Sequence, residues 1–318
     1  MEGIVSLVRR VSMIASLCAA IAVVSLAQTF TTAFSFDGAN GAYPYAGLVQ
    51  GANGELYGTT AFGGAYGFGT VFKITPNGTL TSLYSFCSLA NCADGSVPYT
   101  GLIQAADGDL YGTTVGGAQN GGTVFKVTPS GTLTTLYSFC SLTNCTDGYY
   151  PSGALVQVAN GGIYGTTSGG GAQASGTVFK ITHSGTVATV YSFCSLANCA
   201  DGGGAHGLVQ VTDGKLYGTT PYTNSVPGDG TVFSLSVGLG PFVEPQRTSG
   251  AVGSIIKILG TDLTGAKRVA FNGTAAAFTV VSASLITATV PPGATTGAIQ
   301  VVTPRGALSS NLPFRVLP

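Results

Sequence analysis

The chain has 318 residues, of which only 8% are charged, and its twelve basic residues balance twelve acidic ones. Because binding to nucleic acid depends on an excess of positive charge, this balance excludes nucleic acid as a partner. Hydrophobic residues make up 45% of the chain, and its 49 glycines recur at fixed places. This composition favours a compact β protein over a disordered chain.

The N-terminus predicts a secretory signal peptide over residues 1–27. Arg9 and Arg10 precede an apolar stretch that ends at Ala27, and small residues at its end suit cleavage before Gln28. An uncleaved membrane anchor is the alternative, although the stretch is shorter than the ~20 apolar residues of a typical span. No later segment reaches that length, so we expect a mature chain without a transmembrane span. It would be secreted, or located at the cell surface or in the periplasm.

A block of about 53 residues then recurs four times, at a period typical of one supersecondary unit copied in tandem. We number the copies repeat one to repeat four. Their shared marker, Tyr-Gly-Thr-Thr, begins at Tyr57, Tyr111, Tyr164 and Tyr217.

Repeats one to three each predict four short antiparallel strands. In repeat two, β-branched and aromatic residues fill the segments 101–105, 109–114, 122–127 and 132–139. Asp107-Gly108 joins the first two segments, and Pro129-Ser130-Gly131 joins the last two, as in tight hairpins. Four antiparallel strands in about 50 residues are typical of a β-propeller blade.

The two ends of the array predict how it closes. Repeat four lacks a fourth strand, whereas residues 30–36 resemble the fourth-strand segments that end at Phe86, Phe139 and Phe193. Pairing 30–36 with 230–234 would give four blades of four strands in a monomeric ring without exposed edges. An open array, or a dimer that shares a larger ring, is the alternative.

Six of the seven cysteines form three identically spaced pairs, which in an exported chain predict a local disulfide in each of three loops. A zinc site is the alternative, but zinc takes four ligands and the chain adds only His183 and His206. We therefore expect no metal and no cofactor. The pairs are Cys87 with Cys92, Cys140 with Cys145, and Cys194 with Cys199.

The repeats resemble the tandem repeat known as GloVer, after its Gly-Leu-Val and Gly-Thr-Val-Phe elements. These elements stand at 47–49 and 69–72 in repeat one, and at 207–209 and 230–233 in repeat four. The resemblance implies an exported bacterial surface protein of the choice-of-anchor type, and it implies no biochemical activity.

The period stops after Gly240, and short alternating segments follow that predict a small antiparallel β-sandwich. The segments are 254–259, 268–271, 286–290, 298–303 and 314–317. Their order resembles an IPT/TIG domain, which has an immunoglobulin-like fold and implies a spacer or accessory binding module. No sorting tail follows, so we expect release or attachment through this domain. The predicted domains are thus the signal peptide (1–27), the repeat propeller (28–240) and the immunoglobulin-like domain (241–318).

The sequence offers little for catalysis. Three glutamates occur in the whole chain, and an Asp before Gly recurs at Asp37, Asp94, Asp147 and Asp201. Such an Asp more often forms a turn than it binds calcium or acts as an acid. An extracellular polysaccharide lyase or hydrolase remains the enzymatic alternative.

Because the strands of a repeat alternate in direction, the long connections all lie on one face of the array; they are 61–68, 115–121, 168–175 and 221–229. Tyrosines that precede the first strands lie on the same face. We predict that they bind an extracellular glycan, peptide or envelope component; packing between blades is the alternative role. The candidate residues are Tyr43, Tyr45, Tyr99, Tyr149, Tyr150 and His206. The sequence as a whole predicts a non-enzymatic binding or scaffold protein, with a purely structural spacer as a further alternative.

Overall fold

The computed structural model describes residues 29–223 and 226–318, so the predicted signal peptide lies outside the described residues. The chain divides into two units, Met1–Ser35 and Phe36–Pro318. Residues 29–35 of the first unit contain no strand, whereas the second unit carries all the strands given below. In the described part of the chain, no helix is long and apolar enough to span a membrane.

The repeats form one small antiparallel sheet each, and the strands of repeat two lie within two residues of the predicted ends. Short 3₁₀ turns follow repeats one to three at Ala90–Cys92, Thr143–Cys145 and Ala197–Cys199. The strands are β1 Val49–Gln50, β2 Leu56–Thr60, β3 Thr70–Ile74 and β4 Leu80–Ser85; β5 Ile103–Gln104, β6 Leu110–Thr114, β7 Thr123–Val127 and β8 Leu133–Ser138; β9 Tyr149–Pro151, β10 Val156–Gln157, β11 Ile163–Gly169, β12 Thr177–Ile181 and β13 Val187–Ser192; and β14 His206–Gln210, β15 Leu216–Thr223 and β16 Val226–Leu235.

The first hairpin of each repeat is closed by a turn that requires glycine. In repeat two the Gly108 amide donates to the Ala105 carbonyl at 2.9 Å, and Gly108 has a φ of 88°. Because side chains with a Cβ are strained at positive φ, this position favours glycine. The Asn-Gly and Asp-Gly pairs thus mark the hairpins as predicted.

The threonines of the repeated marker hold the second and third strands together. Thr114 and Thr123 are fully buried, and their hydroxyls lie 2.8 Å apart across the β6–β7 pair. The same contact recurs at 2.8 Å in the other repeats. A buried hydroxyl must find a partner, so the paired threonines explain why both sequence elements are repeated.

Adjacent repeats are joined by buried phenylalanine rings. The Phe139 ring, directly after β8, lies edge-on to the Phe179 ring of β12 with centroids 5.0 Å apart. The equivalent contacts are Phe86 with Phe125 and Phe193 with Phe233, both at 5.0 Å. Phe36 makes the same kind of contact with Phe72 at 5.1 Å, which agrees with the predicted equivalence of residues 30–36 and the fourth strands.

The closure of the array by residues 30–36 stays a prediction. None of residues 29–36 is in a strand, and within the described residues β16 pairs with β15 alone. Val232 of β16 is 78% exposed, whereas Val124, its counterpart in repeat two, is 0% exposed and pairs with Tyr137 of β8. The sheet of repeat four therefore has three strands in the described part of the chain.

The last long connection also differs from the prediction. Residues 221–229 were expected to form a loop, but β15 and β16 extend into this segment as a hairpin. Tyr222 pairs with Pro227 and Thr223 with Val226. Tyr, Thr and Val favour extended backbone, so this connection continues the sheet where the other repeats have glycines.

The C-terminal region forms two four-stranded sheets that pack face to face, with strand orders β17-β19-β23-β22 and β21-β20-β24-β25, while β18 and β26 pair in parallel. All five predicted segments are strands. Its core draws on both sheets, including Ile258, Ile286, Phe271 and Val301. The strands are β17 Glu244–Pro245, β18 Ser249–Ala251, β19 Ile255–Leu259, β20 Arg268–Phe271, β21 Thr274–Ala276, β22 Phe278–Ser282, β23 Leu285–Thr289, β24 Ile299–Thr303, β25 Gly306–Ser309 and β26 Arg315–Leu317.

Candidate functional site

The antiparallel pairing gives each repeat two different ends. The tight turns β1–β2 and β3–β4 lie at one end of the first sheet, and the β2–β3 connection and the chain leaving β4 lie at the other. The other repeats follow the same order. We call the end with the tight turns the hairpin face and the end with the long connections the loop face.

Four aromatic side chains meet on the loop face between repeats one and two, and we call them the aromatic cluster: Tyr43, Tyr45, Phe62 and Tyr99. Tyr45 stacks on Tyr43 and Tyr99, with ring centroids 5.9 and 5.3 Å away. Phe62 is edge-on to Tyr43 at 5.6 Å and to Tyr99 at 6.3 Å. All four rings are exposed, Tyr45 by 61%. They form a continuous aromatic surface in contact with solvent.

The backbone around Tyr43 places these rings together. The Ala42 amide donates to the Phe62 carbonyl at 2.7 Å and the Phe62 amide to the Ala42 carbonyl at 3.1 Å. The Tyr43 carbonyl accepts from the Ala61 amide at 3.0 Å. The segment before β1 is thereby tied to the long connection, which brings Phe62 beside the tyrosines.

Tyr43 has a backbone conformation that favours glycine. Its φ is 57°, and the equivalent residues Val97, Tyr150 and Gly204 have φ values of 57°, 53° and 70°. A residue with a Cβ is disfavoured there by about 1–2 kcal/mol, and repeat four avoids this cost with glycine. Strained positions of this kind cluster at functional sites. Retention of a tyrosine in repeats one and three therefore points to a role for its ring.

The remaining predicted residues make no ring contact with the aromatic cluster among the described residues. Tyr149 and Tyr150 form an edge-on pair at 5.0 Å, and Tyr150 is exposed. The Tyr149 ring covers Gly169, where an added Cβ would lie 2.2 Å from a ring carbon. Tyr149 is thus a packing residue of repeat three. His206 lies at the start of β14 with an exposed side chain.

Phe62 is not among the residues predicted from the sequence. It lies two residues after the Tyr-Gly-Thr-Thr marker, where the other repeats have Gly116, Gly169 and Tyr222. Gly169 and Tyr222 each pair with a residue of the preceding segment, Tyr149 and Gly203, so a large residue faces a small one. An aromatic residue at this position therefore indicates, from the sequence alone, a ring beside Tyr43.

The repeated Asp residues stabilise the disulfide loops. All three predicted cysteine pairs are disulfide-bonded. Asp94 is fully buried; its carboxylate accepts from the Tyr84 hydroxyl at 2.8 Å, the Ser88 amide at 2.9 Å and the Leu89 amide at 3.2 Å. Burial raises the pKa of Asp94, but these hydrogen bonds outweigh it and hold the pKa below its usual value. The carboxylate is therefore engaged in shaping its own loop.

The ion pairs of the repeats lie at the hairpin face. Lys73 pairs with Glu55 at 3.0 Å and Lys126 with Asp109 at 3.3 Å, and both acids directly follow a hairpin turn. Within the described residues, no ion pair of the repeats involves the aromatic cluster. No group of three or more His, Cys, Asp or Glu side chains suited to a metal ion occurs there either. The aromatic cluster is thus an apolar and tyrosine-rich surface.

The chain belongs to the Gloeobacter/Verrucomicrobia repeat family, whose model matches residues 20–114 and 88–254. The IPT/TIG domain model matches residues 242–316. Both family predictions are confirmed. A comparison with curated proteins finds no match.

Solved structures give only distant similarities. A streptogramin B lyase is 12% identical, with a TM-score of 0.38 over 85% of this chain and 68% of its own. A luciferin-regenerating enzyme is 14% identical, with a TM-score of 0.41 over 62% of this chain and 62% of its own. At these values the alignments add nothing to the family assignment.

Proposed function

We propose that this chain is a non-enzymatic, exported protein that binds glycans through its aromatic cluster. The carrying observation is the continuous exposed surface of Tyr43, Tyr45, Phe62 and Tyr99. Tyrosine rings offer an apolar face to the C–H face of a sugar and a hydroxyl for hydrogen bonding. The chain has no Trp, so tyrosine is its main side chain of this kind.

Two features favour binding over simple packing for these rings. The first is exposure, since clustered exposed apolar side chains are uncommon unless they meet a partner. The second is the conformation of Tyr43, which glycine would adopt more easily. The repeated Asp carboxylates, the best candidates for catalysis in the sequence, are instead engaged in loop hydrogen bonds. This engagement supports a binding function over an enzymatic one.

Export is supported by the disulfides and by the predicted signal peptide. Three disulfides in one chain suit an oxidising compartment outside the cytoplasm. We propose that the mature protein begins near Gln28 and is secreted, or held at the cell surface or in the periplasm. The C-terminal domain, which we place at 241–318, would then act as a spacer or attachment module.

The glycan proposal is tested on the mature chain, residues 28–318, with a glycan array followed by titration of the best ligand. We expect Tyr45→Ala and Tyr99→Ala each to weaken binding about tenfold, because a stacking ring contributes about 1 kcal/mol or more. Tyr66→Ala is the matched control. Tyr66 is an exposed tyrosine of the long connection 61–68, which also carries Phe62, but it makes none of the ring contacts of the cluster. Equal affinity in all three variants, or retention of peptides alone, would contradict the proposal.

For the fold, we propose that residues 30–35 pair with β16 and complete a four-bladed propeller. The segment aligns with β4, residue for residue, and by the β3–β4 register Phe34 would lie opposite Val232. The counterparts of Val232 in the other repeats, Val71, Val124 and Val178, are fully buried, which supports a fourth strand beside β16 as well. An open β-edge is a risk for aggregation that closure would remove.

Valine truncation tests the closure. Val124→Ala should lower the free energy of unfolding by about 2 kcal/mol, because it removes two buried methyl groups. If residues 30–35 cover β16 in solution, Val232→Ala should cost a similar amount in urea unfolding. A change of less than about 0.5 kcal/mol, typical of a surface position, would mean that the edge is open.

A further inference from the structure

A cavity of about 450 Å³ lies at the hairpin face, between the first strands of repeats two to four and the C-terminal domain. Its walls are mainly apolar and include Ile103, Val156, Val209, Phe242, Val243 and Leu312. This volume lies within the range of small-molecule sites. The cavity is remote from the aromatic cluster, because it opens at the opposite end of the repeats.

One glutamine per repeat provides an internal comparison for the polar groups of this cavity. In repeats one to three the Nε2 of this glutamine donates to a glycine carbonyl in its own hairpin, at 3.4, 2.9 and 3.2 Å. In repeats two to four its Oε1 accepts a backbone amide of the preceding repeat, at 2.8, 3.0 and 2.9 Å. The glutamines are Gln50, Gln104, Gln157 and Gln210.

Gln210 departs from this pattern. It is only 7% exposed, and its Oε1 accepts from the Ala159 amide at 2.9 Å. Its Nε2, however, is buried without a hydrogen-bond partner among the described residues. A buried donor without a partner is unfavourable and calls for an explanation.

Asn311 of the C-terminal domain adds a second such atom. Its Nδ2 donates to Gln210 Oε1 at 3.4 Å, and its Oδ1 is buried without a partner in the described part of the chain. Because the Ala159 amide donates to Gln210, the Gln210 atom that it contacts must be the oxygen Oε1. The Asn311 atom that contacts this oxygen must in turn be the nitrogen Nδ2. Two residues that line the cavity thus carry one unpaired donor and one unpaired acceptor on neighbouring buried amides.

We propose that this cavity binds a small uncharged molecule with an apolar body and one group that both accepts and donates, a hydroxyl or a carboxamide. That group would accept from Gln210 Nε2 and donate to Asn311 Oδ1, while the apolar body fills the space between the strands. Of the described residues that line the cavity, only Glu244 is titratable, and its side chain is exposed. The lining therefore offers a charged ligand no buried counter-ion.

Three matched probes test the proposal on the mature chain: benzyl alcohol, toluene and benzoate. Binding is followed by methyl NMR shifts of Ile103, Val156, Val209 and Leu312. Benzyl alcohol should bind at least about tenfold more tightly than toluene, because only the alcohol satisfies the two amides. Benzoate should bind more weakly than the alcohol, since its charge would be buried without a partner.

Gln210→Met should reduce the affinity for benzyl alcohol about tenfold, to that of toluene. Gln50→Met is the matched control, since Gln50 occupies the same place in repeat one outside the cavity lining, and it should leave the affinity unchanged. If Gln210→Met fails to fold, Asn311→Ala takes its place. Equal binding of alcohol and toluene, absence of shifts at these methyls, equal loss in Gln50→Met, or unchanged affinity in Asn311→Ala would overturn the proposal.

Discussion

Replacing Phe139 by alanine is expected to lower the free energy of unfolding by about 3–5 kcal/mol. The ring is fully buried and contacts Tyr137 at 5.3 Å and Phe179 at 5.0 Å. It therefore joins the last strand of repeat two to repeat three. Tandem repeats are stabilised by contacts between neighbours, so losing this ring weakens an interface as well as leaving a cavity. Urea unfolding followed by far-UV circular dichroism measures the change.

Phe139→Leu is the matched control, because it keeps most of the apolar volume and removes only the aromatic contact. We expect it to cost less than half as much as the alanine variant. A loss below about 1 kcal/mol in Phe139→Ala would show that the contact between repeats two and three contributes little. An alanine variant that unfolds in two transitions would instead locate the weakened boundary between the two halves of the array.

The strands could be predicted because their determinants are local. Alternating β-branched and aromatic residues mark β6 and β7, and an Asp-Gly pair marks the turn at Gly108. Because the same local pattern is copied, the strands predicted for repeat two also predict those of repeats one and three. The disulfides follow for the same reason, since each joins cysteines five residues apart.

What could not be predicted depends on contacts between distant segments. The aromatic cluster needs Phe62 beside Tyr99, and only the packing of repeat one against repeat two brings them together. Tyr149 belongs to the same predicted set as Tyr45 but packs onto Gly169. Gln210 is identical in type to its three counterparts, and only the contact with Asn311 makes it different. The informative departures thus occur where one copy meets something that the others do not.

Replacing Asp94 by alanine is expected to lower the free energy of unfolding by about 3–4 kcal/mol. The change would leave the Ser88 and Leu89 amides and the Tyr84 hydroxyl without their acceptor, and hydrogen bonds to a charged group contribute about 1.5–3 kcal/mol each without being additive. Asp37→Ala is the matched control, because Asp37 also precedes a glycine but is exposed, and among the described residues its carboxylate accepts only from the Asn40 amide, at 3.1 Å. The control should change stability by less than about 0.5 kcal/mol.

The pH dependence of stability provides the second half of this test. Burial raises the pKa of Asp94 and of Asp201, but hydrogen bonds outweigh it and leave both pKa values lowered in the folded state. Their contribution is therefore complete above the unfolded pKa of about 3.9 and is lost as the pH falls through the folded pKa. We expect the free energy of unfolding of the wild type to decrease as the pH is lowered below about 4. The Asp94→Ala variant should lose less stability over the same pH range. An acid or base in catalysis would behave differently: its removal would abolish a reaction while leaving this acid transition unchanged.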